Sequence, residues 1–164
     1  MSKTSGKAFH SYDKYVLRKM ADYQFGEGIG SILIPDDIII EKSKKTGKIR
    51  RIILNGKVIA TIRARDGLIA LTIYGAEIIR SKTCPPKMRV VVMNEVADMI
   101  KEGRNVFAKH VKKADPEIRP GEEVIVVNEN DELLAVGKAL LNGEEMTLFR
   151  SGVAVKVRSG VKEK

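Results

Sequence analysis

The chain has 164 residues, of which 43% are hydrophobic, 31% charged and 5% aromatic, so it is long enough for one ordinary domain or two small ones and too apolar for wholesale disorder. Its net charge is +9, with 16 Lys/Arg against 8 Asp/Glu in residues 1–85 and 14 against 13 in residues 86–164. This basic excess favours binding to a polyanion over the alternative that the surplus lysine only keeps the protein soluble. A single cysteine, Cys84, excludes an internal disulfide and a multi-thiolate metal site, and no apolar run reaches transmembrane length, so we expect a cytoplasmic protein with no metal or cofactor and no membrane partner.

Residues 11–26, SYDKYVLRKMADYQFG, are predicted to form a helix. Tyr12, Val16, Met20 and Tyr23 recur at helical spacing and are expected to form its apolar face. The following GEGIG string resembles a phosphate-binding loop, but no hydrophobic strand precedes it and no GK[ST] follows. A helix end and a turn, made by the glycines, are favoured.

The next stretch is rich in predicted strands. They are Ile38–Glu41, Ile49–Leu54, Lys57–Arg63 and Leu68–Ile73, followed by a short helix around Ala76–Arg80. Asn55-Gly56 is a strong hairpin signal, because both central residues of its turn need positive φ. The first half is therefore predicted to be an α+β domain, with one helix packed on a small antiparallel sheet.

Pro85-Pro86 interrupts the pattern within Ser81–Lys87. Consecutive prolines neither continue a helix nor donate to a sheet ladder, so we expect a domain boundary here. The predicted domains are residues 1–84 and 85–164.

The second half begins with a predicted strand, Arg89–Met93, and a short helix. Asn94 is expected to cap that helix, with Val96, Met99 and Ile100 facing inward. Gly103 fits the left-handed position that closes it.

Short strands dominate the rest of the chain. They are predicted at Val106–Val111, Val124–Val127, Leu133–Leu141 and Val153–Val157, with turns at Asn128–Asp131 and around Asn142-Gly143. Several short strands and one small helix in fewer than 80 residues indicate a compact β-barrel.

Phe107 lies in a basic segment, GRNVFAKHV, and allows two interpretations. Strand alternation places it on one face with Lys109 and Val111, opposite Val106, Ala108 and His110. It is either a core residue of the barrel or an aromatic group on a cationic rim, where stacking on an unpaired base is worth about 1–3 kcal/mol. The spacing leaves both interpretations open.

Three motifs in the second half carry a family resemblance: MRVVVMNEVADMIKEGRNVFAKHV, ADPEIRPGEEVIVVNENDELLAVGKALL and GEEMTLFRSGVAVKVRSG. In order and spacing they resemble a PUA domain, a small RNA-binding barrel. In the first half, ADYQFGEGIGSILIP and KSKKTGKIRRIILNGKVIATIRARDGLIALT resemble the domain before PUA in archaeal tRNA-guanine (archaeosine) transglycosylase. The resemblance implies a fold in which an α+β N-terminal domain is followed by a mostly-β PUA barrel.

The resemblance also implies where RNA binds: the loop after the helix, the strand that follows it and the closing segment. In this sequence the implied contact residues are Gly103, Arg104, Asn105, Phe107, Ala108, Lys109, His110, Lys112, Lys113, Arg150, Ser151, Gly152, Lys156 and Arg158. Arginine and lysine at such positions neutralise phosphates.

The first half offers a second basic surface of strand and turn residues. They are Lys44, Lys45, Lys48, Arg50, Arg51, Arg63 and Arg65. Strand alternation points Arg50 and Arg51 to opposite faces. The alternative is a solvated edge strand that its charges protect against aggregation.

The sequence is therefore interpreted as a non-catalytic RNA-binding protein with tRNA as the expected ligand. In the transglycosylase the PUA unit is understood to hold the acceptor end of tRNA, while a separate barrel exchanges the base. That chemistry needs carboxylates at strand ends and a cysteine-rich zinc site, and this sequence has neither. A separately encoded tRNA-modifying enzyme is the expected protein partner. The alternative function is a translation or ribosome-assembly factor that contacts rRNA.

Overall fold

The computed structural model describes residues 2–162, with side chains from Ser11 onward, and the chain divides into two compact units at Ile79/Arg80. The elements of the first unit are α1 (Ser2–Phe25), α2 (Ile29–Leu33), β1 (Ile39–Lys42), β2 (Ile49–Leu54), β3 (Lys57–Ile62) and β4 (Ile69–Leu71). Helix α3 (Ile73–Lys82) spans the division. The second unit contains β5 (Arg89–Val92), α4 (Ala97–Lys101), β6 (Val106–Phe107), β7 (Val111–Ala114), β8 (Glu123–Val127), β9 (Leu133–Ala139), α5 (Gly143–Leu148) and β10 (Val153–Gly160).

Helix α1 forms as predicted, but the predicted buried face is wrong. Leu17, Ala21 and Phe25 are buried, whereas Tyr12 is 67% and Tyr23 88% exposed. Both sets recur at helical spacing, so periodicity alone did not distinguish them. A tyrosine keeps a hydroxyl that water can solvate, which allows the tyrosine stripe to remain outside.

Within the GEGIG segment, Gly26–Gly28 form a turn after α1, as predicted, whereas Ile29 and Gly30 begin α2. The Asp22 carboxylate accepts hydrogen bonds from the amides of Gly28 (3.1 Å) and Gly30 (2.7 Å). Gly30 does not end α1 but lies inside α2, where a Cβ atom would stand 2.2 Å from the carbonyl oxygen of Arg18. Glycine is therefore needed at position 30 for close helix packing rather than for binding a phosphate.

The first unit contains an antiparallel sheet in the order β1-β2-β3-β4. The β2–β3 hairpin turns at Asn55 (φ 52°) and Gly56 (φ 79°), which confirms the turn prediction. Helix α1 is fixed to β4 because the Gln24 side-chain amide both donates to and accepts from the backbone of Ile69, at 3.0 and 2.7 Å. The α+β prediction is confirmed.

The second unit is a six-stranded sheet in the order β6-β10-β9-β8-β5-β7. Its edge strands, β6 and β7, are consecutive in the chain and are joined only by a 3₁₀ turn at Ala108–His110. Because so short a connection brings the two edges together, the sheet curls into a nearly closed barrel. This confirms the predicted mostly-β barrel.

The helical region of the barrel domain differs from its prediction in two details. Asn94 is not an N-cap but the first residue of a 3₁₀ turn, and its side-chain oxygen accepts a hydrogen bond from the Glu129 amide (3.1 Å). Met99 is 44% exposed rather than buried, although Val96 and Ile100 face the core as expected. Gly103 has the predicted positive φ, 102°.

The predicted turn at Asn142-Gly143 is the beginning of helix α5. The Asn142 side chain accepts from the Glu145 amide (2.8 Å), and the Glu145 side chain accepts from the Asn142 amide (2.9 Å). This capping box was present in the sequence as Asn-x-x-Glu and was not recognised. It orients α5 so that Met146 is fully buried.

Arg89 is a fully buried arginine in the second unit. Its guanidinium bonds both Asp131 carboxylate oxygens (3.1 and 3.2 Å) and the Thr83 hydroxyl. It also donates to the carbonyls of Arg80 (2.8 Å), Thr83 (3.1 Å) and Lys87 (2.9 Å). This set of acceptors compensates the burial of its charge.

Candidate nucleic-acid interface

The loop after α4 lies against the closing strand. Residues Phe107 and Val153 are paired in the β6–β10 ladder, and the Ala108 amide donates to the Gly152 carbonyl (2.9 Å). Further along, the Asn105 side-chain oxygen accepts from the Val157 amide (2.9 Å). The structure thus brings together two segments that are 40 or more residues apart in sequence and that the resemblance assigns to RNA contact.

Phe107 is 45% exposed, so the interpretation as a core residue is wrong. Its neighbours Val106 and Ala108 are buried and fill the barrel instead. The ring meets His110 edge to face, with centroids 6.2 Å apart. Strand alternation fails beyond Lys109, because the 3₁₀ turn returns Val111 to the core rather than leaving it on the face of Phe107.

Two lysines face each other on the outer surface beside Phe107's strand. Lys138 of β9 and Lys156 of β10 are register partners, and both are exposed. On its other side, Lys138 is the register partner of Glu123 on β8, whose carboxylate pairs with Arg158. Lys138 was not singled out from the sequence, and only its pairing with Lys156 in the folded sheet identifies it.

Five predicted cations of the second unit are exposed and make no ion pair with any other residue in the described range. They are Arg104, Lys109, Lys113, Arg150 and Lys156. Arg150 lies three residues before Val153, the register partner of Phe107. These side chains therefore keep their full charge available for an external anion.

Two other predicted cations pair with carboxylates of the same unit. Arg158 pairs at 2.7 Å with Glu123, whose side chain is only 2% exposed. Lys112 bonds Glu129 at 2.9 Å, and this hydrogen bond and the carboxylate charge raise the pKa of Lys112. The same hydrogen bond lowers the pKa of Glu129. Structural roles account for both cations.

The remaining predicted contacts divide by accessibility. The Ala108 side chain is buried, so a contact at this position would have to involve the backbone. Ser151 and Gly152 are exposed, and Gly152 has φ 92° with open space around its Cα. His110 is half-buried. Gly103 closes α4, and its amide nitrogen lies 2.8 Å from where a Cβ on Gly160 would be, so the helix end packs against β10.

The second basic surface divides in the same way. Arg51 pairs with Glu41 (3.6 Å) and Arg63 with Asp66 (3.2 Å). Four others make no ion pair with a described residue and are exposed on or beside two turns of the first unit: Lys44, Lys45, Lys48 and Arg65. Arg50, on β2, is also exposed and without an acidic partner in the described range.

Among the residues that the structure describes, there is no group of three or more His, Cys, Asp or Glu side chains that could hold a metal ion. Cys84 is a free, exposed thiol. Over the same part of the chain, none of the helices has both the length and the apolar character that crossing a bilayer requires.

Two family models match the chain consecutively. Residues 16–86 match the patch-forming domain C2 of tRNA-guanine transglycosylase, and residues 88–161 match the PUA domain. The chain therefore contains a C2 domain followed by a PUA domain, and the barrel is the PUA domain, as the sequence motifs indicated.

Curated relatives match most of the chain, across both domains. The chain is 51% identical over 150 residues to the tRNA-guanine(15) transglycosylase of Thermococcus kodakarensis, covering 92% of the chain and 25% of that enzyme. It is 52% identical over 145 residues to the enzyme of Pyrococcus furiosus, covering 88% and 24%. The C2–PUA chain thus spans about a quarter of the length of the relatives it matches.

Solved structures share the same arrangement of elements. A hypothetical protein from Pyrococcus horikoshii OT3 superposes with a TM-score of 0.75 at 26% identity, covering 93% of this chain and 92% of that one. A conserved PUA domain protein from Thermoplasma acidophilum gives 0.67 at 18% identity, covering 94% and 91%. The second of these supports the fold alone.

Proposed function

We propose that this PUA-domain protein is a non-catalytic, cytoplasmic RNA-binding protein that binds tRNA and acts with a separately encoded tRNA-modifying enzyme of the transglycosylase type. Its relatives that carry the same C2 and PUA segments are named tRNA-guanine(15) transglycosylases. The segments shared with them make up about a quarter of each of those enzymes. A role in holding the RNA is consistent with the PUA match over residues 88–161.

The observation that carries the proposal is the half-exposed ring of Phe107 beside cations without acidic partners. An aromatic ring that the core does not use can stack on an unpaired base or a sugar. Lys109 follows it two residues later, and Arg150 precedes its register partner Val153. Flexible cations close in the chain and in the sheet to an exposed ring suit phosphate contacts next to a stacked base.

A second feature of this PUA surface is a pair of lysines, Lys138 and Lys156, that are register partners on β9 and β10. Two exposed lysines on one face of the sheet can contact neighbouring phosphates of an RNA backbone. RNA capture would therefore combine electrostatic attraction with stacking at Phe107. No covalent step is part of this mechanism.

The test is a titration with bulk tRNA at several salt concentrations. The R104A/K109A variant should bind more weakly than the unmodified protein, with the slope of log K against log salt reduced by about 0.7–0.9 for each lost phosphate contact. K19A/K57A is the matched control, because it removes two exposed lysines from the first unit. Equal affinities and slopes for the two variants, with unchanged melting temperatures, would refute this binding face.

The identity of the RNA and of the partner is tested separately. RNA that co-purifies from the native host should be enriched in tRNA, and tRNA trimmed of its 3′ end should bind more weakly if the acceptor end is held. Enrichment of rRNA instead would favour a ribosome-assembly or translation factor. Affinity purification at low salt should recover a transglycosylase-type enzyme, and its absence would remove the partner from the proposal.

A further inference from the structure

Two turns in the first unit have the same backbone structure. Residues 43–48, SKKTGK, connect β1 to β2, and residues 63–68, RARDGL, connect β3 to β4. In each turn the first amide donates to the sixth carbonyl and the fifth amide donates to the first carbonyl, at 2.8 and 2.8 Å in one and 2.9 and 2.8 Å in the other. The fifth residue is glycine in both, and Gly47 and Gly67 each have φ 73°.

The side chains at the fourth position complete the equivalence. The Thr46 hydroxyl accepts from the sixth-position amide at 3.3 Å, and the Asp66 carboxylate accepts from its counterpart at 3.0 Å. Because the backbones agree, the third residues of the two turns, Lys45 and Arg65, occupy equivalent places. Both are exposed cations that make no ion pair within the part of the chain described.

Strand order places the two turns side by side. In the sheet β1-β2-β3-β4, both connections lie at the end opposite the Asn55-Gly56 turn. Their midpoints are separated by two strand spacings, about 10 Å. An open groove runs between them, and Ile49 and Ile62 line it together with residues of both turns.

The groove is cationic from both sides. Lys48, Arg50, Arg63 and Arg65 line it, with Asp66 as the one acidic side chain among its lining residues in the described range. Asp66 pairs with Arg63 at 3.2 Å, which leaves the other three cations without an acidic partner among the described residues. A second concavity beside it is lined by Lys44, Lys45 and Arg50, so Arg50 is shared by both.

We propose that these twin turns form a second binding site, separate from the PUA domain, that grips the sugar–phosphate backbone of a nucleic acid. The proposal rests on the proposed RNA-binding function and adds a place at which the C2 domain contacts the same ligand. Among the described residues that line the groove, none is aromatic. The site is therefore proposed to bind phosphates through charge and to position the RNA, without base stacking.

The test measures bulk tRNA binding by K45Q, R65Q and the double variant across a salt series. Each single variant should reduce the slope of log K against log salt by about 0.7–0.9, which corresponds to roughly a five- to eightfold loss of affinity at 0.1 M salt. The double variant should show the product of the two losses. K57Q is the matched control, because Lys57 is an exposed lysine at the opposite end of the same sheet.

The variant K45R/R65K changes both side chains but keeps both positive charges. It should bind tRNA as the unmodified protein does. A double variant that binds like K57Q, while the unmodified protein binds tRNA, would overturn the twin-turn site and leave the proposed function intact. A loss at only one of the two positions would also overturn it, because equivalent turns predict equal losses. Failure of the unmodified protein to bind tRNA would refute the proposed function itself.

Discussion

Comparing one arginine of the barrel unit with two of the first unit shows two opposite uses of the same side chain. In the barrel unit, Arg89 is fully buried, and its guanidinium is surrounded by a carboxylate, a hydroxyl and three carbonyls. In the first unit, Arg50 and Arg65 are exposed and make no ion pair with a described residue. One arginine stabilises the fold, whereas the other two leave their charge available to a ligand.

This contrast shows that charge alone does not identify a binding residue, and the partners of each cation must be considered. The same distinction applies within the PUA domain, where Arg158 holds the buried carboxylate of Glu123 while Arg104 is exposed and unpaired among the described residues. The basic residues that give the chain its positive charge thus include some that stabilise the fold and others that are exposed to a ligand. Only their surroundings separate the two classes.

The largest difference in the free energy of unfolding is expected when arginine is replaced by methionine at a buried position and, separately, at an exposed one. Arg89→Met should lower the free energy of unfolding by about 3–5 kcal/mol, because Asp131 and the surrounding carbonyls lose their buried donor. Arg65→Met should change it by less than about 0.5 kcal/mol, since that side chain is exposed. Urea unfolding measures the stability of both variants. Similar midpoints for Arg89→Met and Arg65→Met would contradict the distinction between buried and exposed arginines.

A smaller effect should separate the arginines of the PUA domain. Arg158→Ala should destabilise the protein by about 1–3 kcal/mol, because Glu123 stays buried without its 2.7 Å partner. Arg104→Ala should leave stability within about 0.5 kcal/mol and weaken tRNA binding. If Arg158→Ala melts like the unmodified protein but binds tRNA less well, Arg158 belongs with the ligand-facing residues.

The smallest effect on stability is expected at Phe107. Because its ring is half-exposed, Phe107→Ala should cost less than about 1 kcal/mol of unfolding free energy. The loss in tRNA binding should be about 1–3 kcal/mol, the worth of one stacked base. Thermal unfolding and tRNA titration are measured on the same preparation. A large fall in melting temperature with unchanged binding would return Phe107 to a packing role.

Local signals in the sequence predicted much of the fold. The Asn55-Gly56 hairpin formed because those residues accept positive φ, and β2 has the predicted bounds Ile49–Leu54. The Asn142 capping box was an equally local signal that was overlooked. The motifs of the second half predicted the PUA barrel, which the family models confirm.

The site was less predictable, because it depends on contacts between distant parts of the chain. Two sets of apolar residues recur at helical spacing on α1, and the structure buries the set with Leu17 and exposes Tyr23. Whether Phe107 packs or faces solvent depended on which face of β6 lies against the barrel core, and Val106 occupies that face.

The sequence by itself determined the hairpins, the strand-rich halves and the supply of positive charge, since these follow from backbone preference and composition. Tertiary structure alone decided which cations pair internally, that Lys138 faces Lys156, and that the turns bearing Lys45 and Arg65 lie side by side. The physical reason is that an ion pair, a strand register or a shared groove joins residues far apart in the chain. Their separation in space is fixed only when the sheet forms.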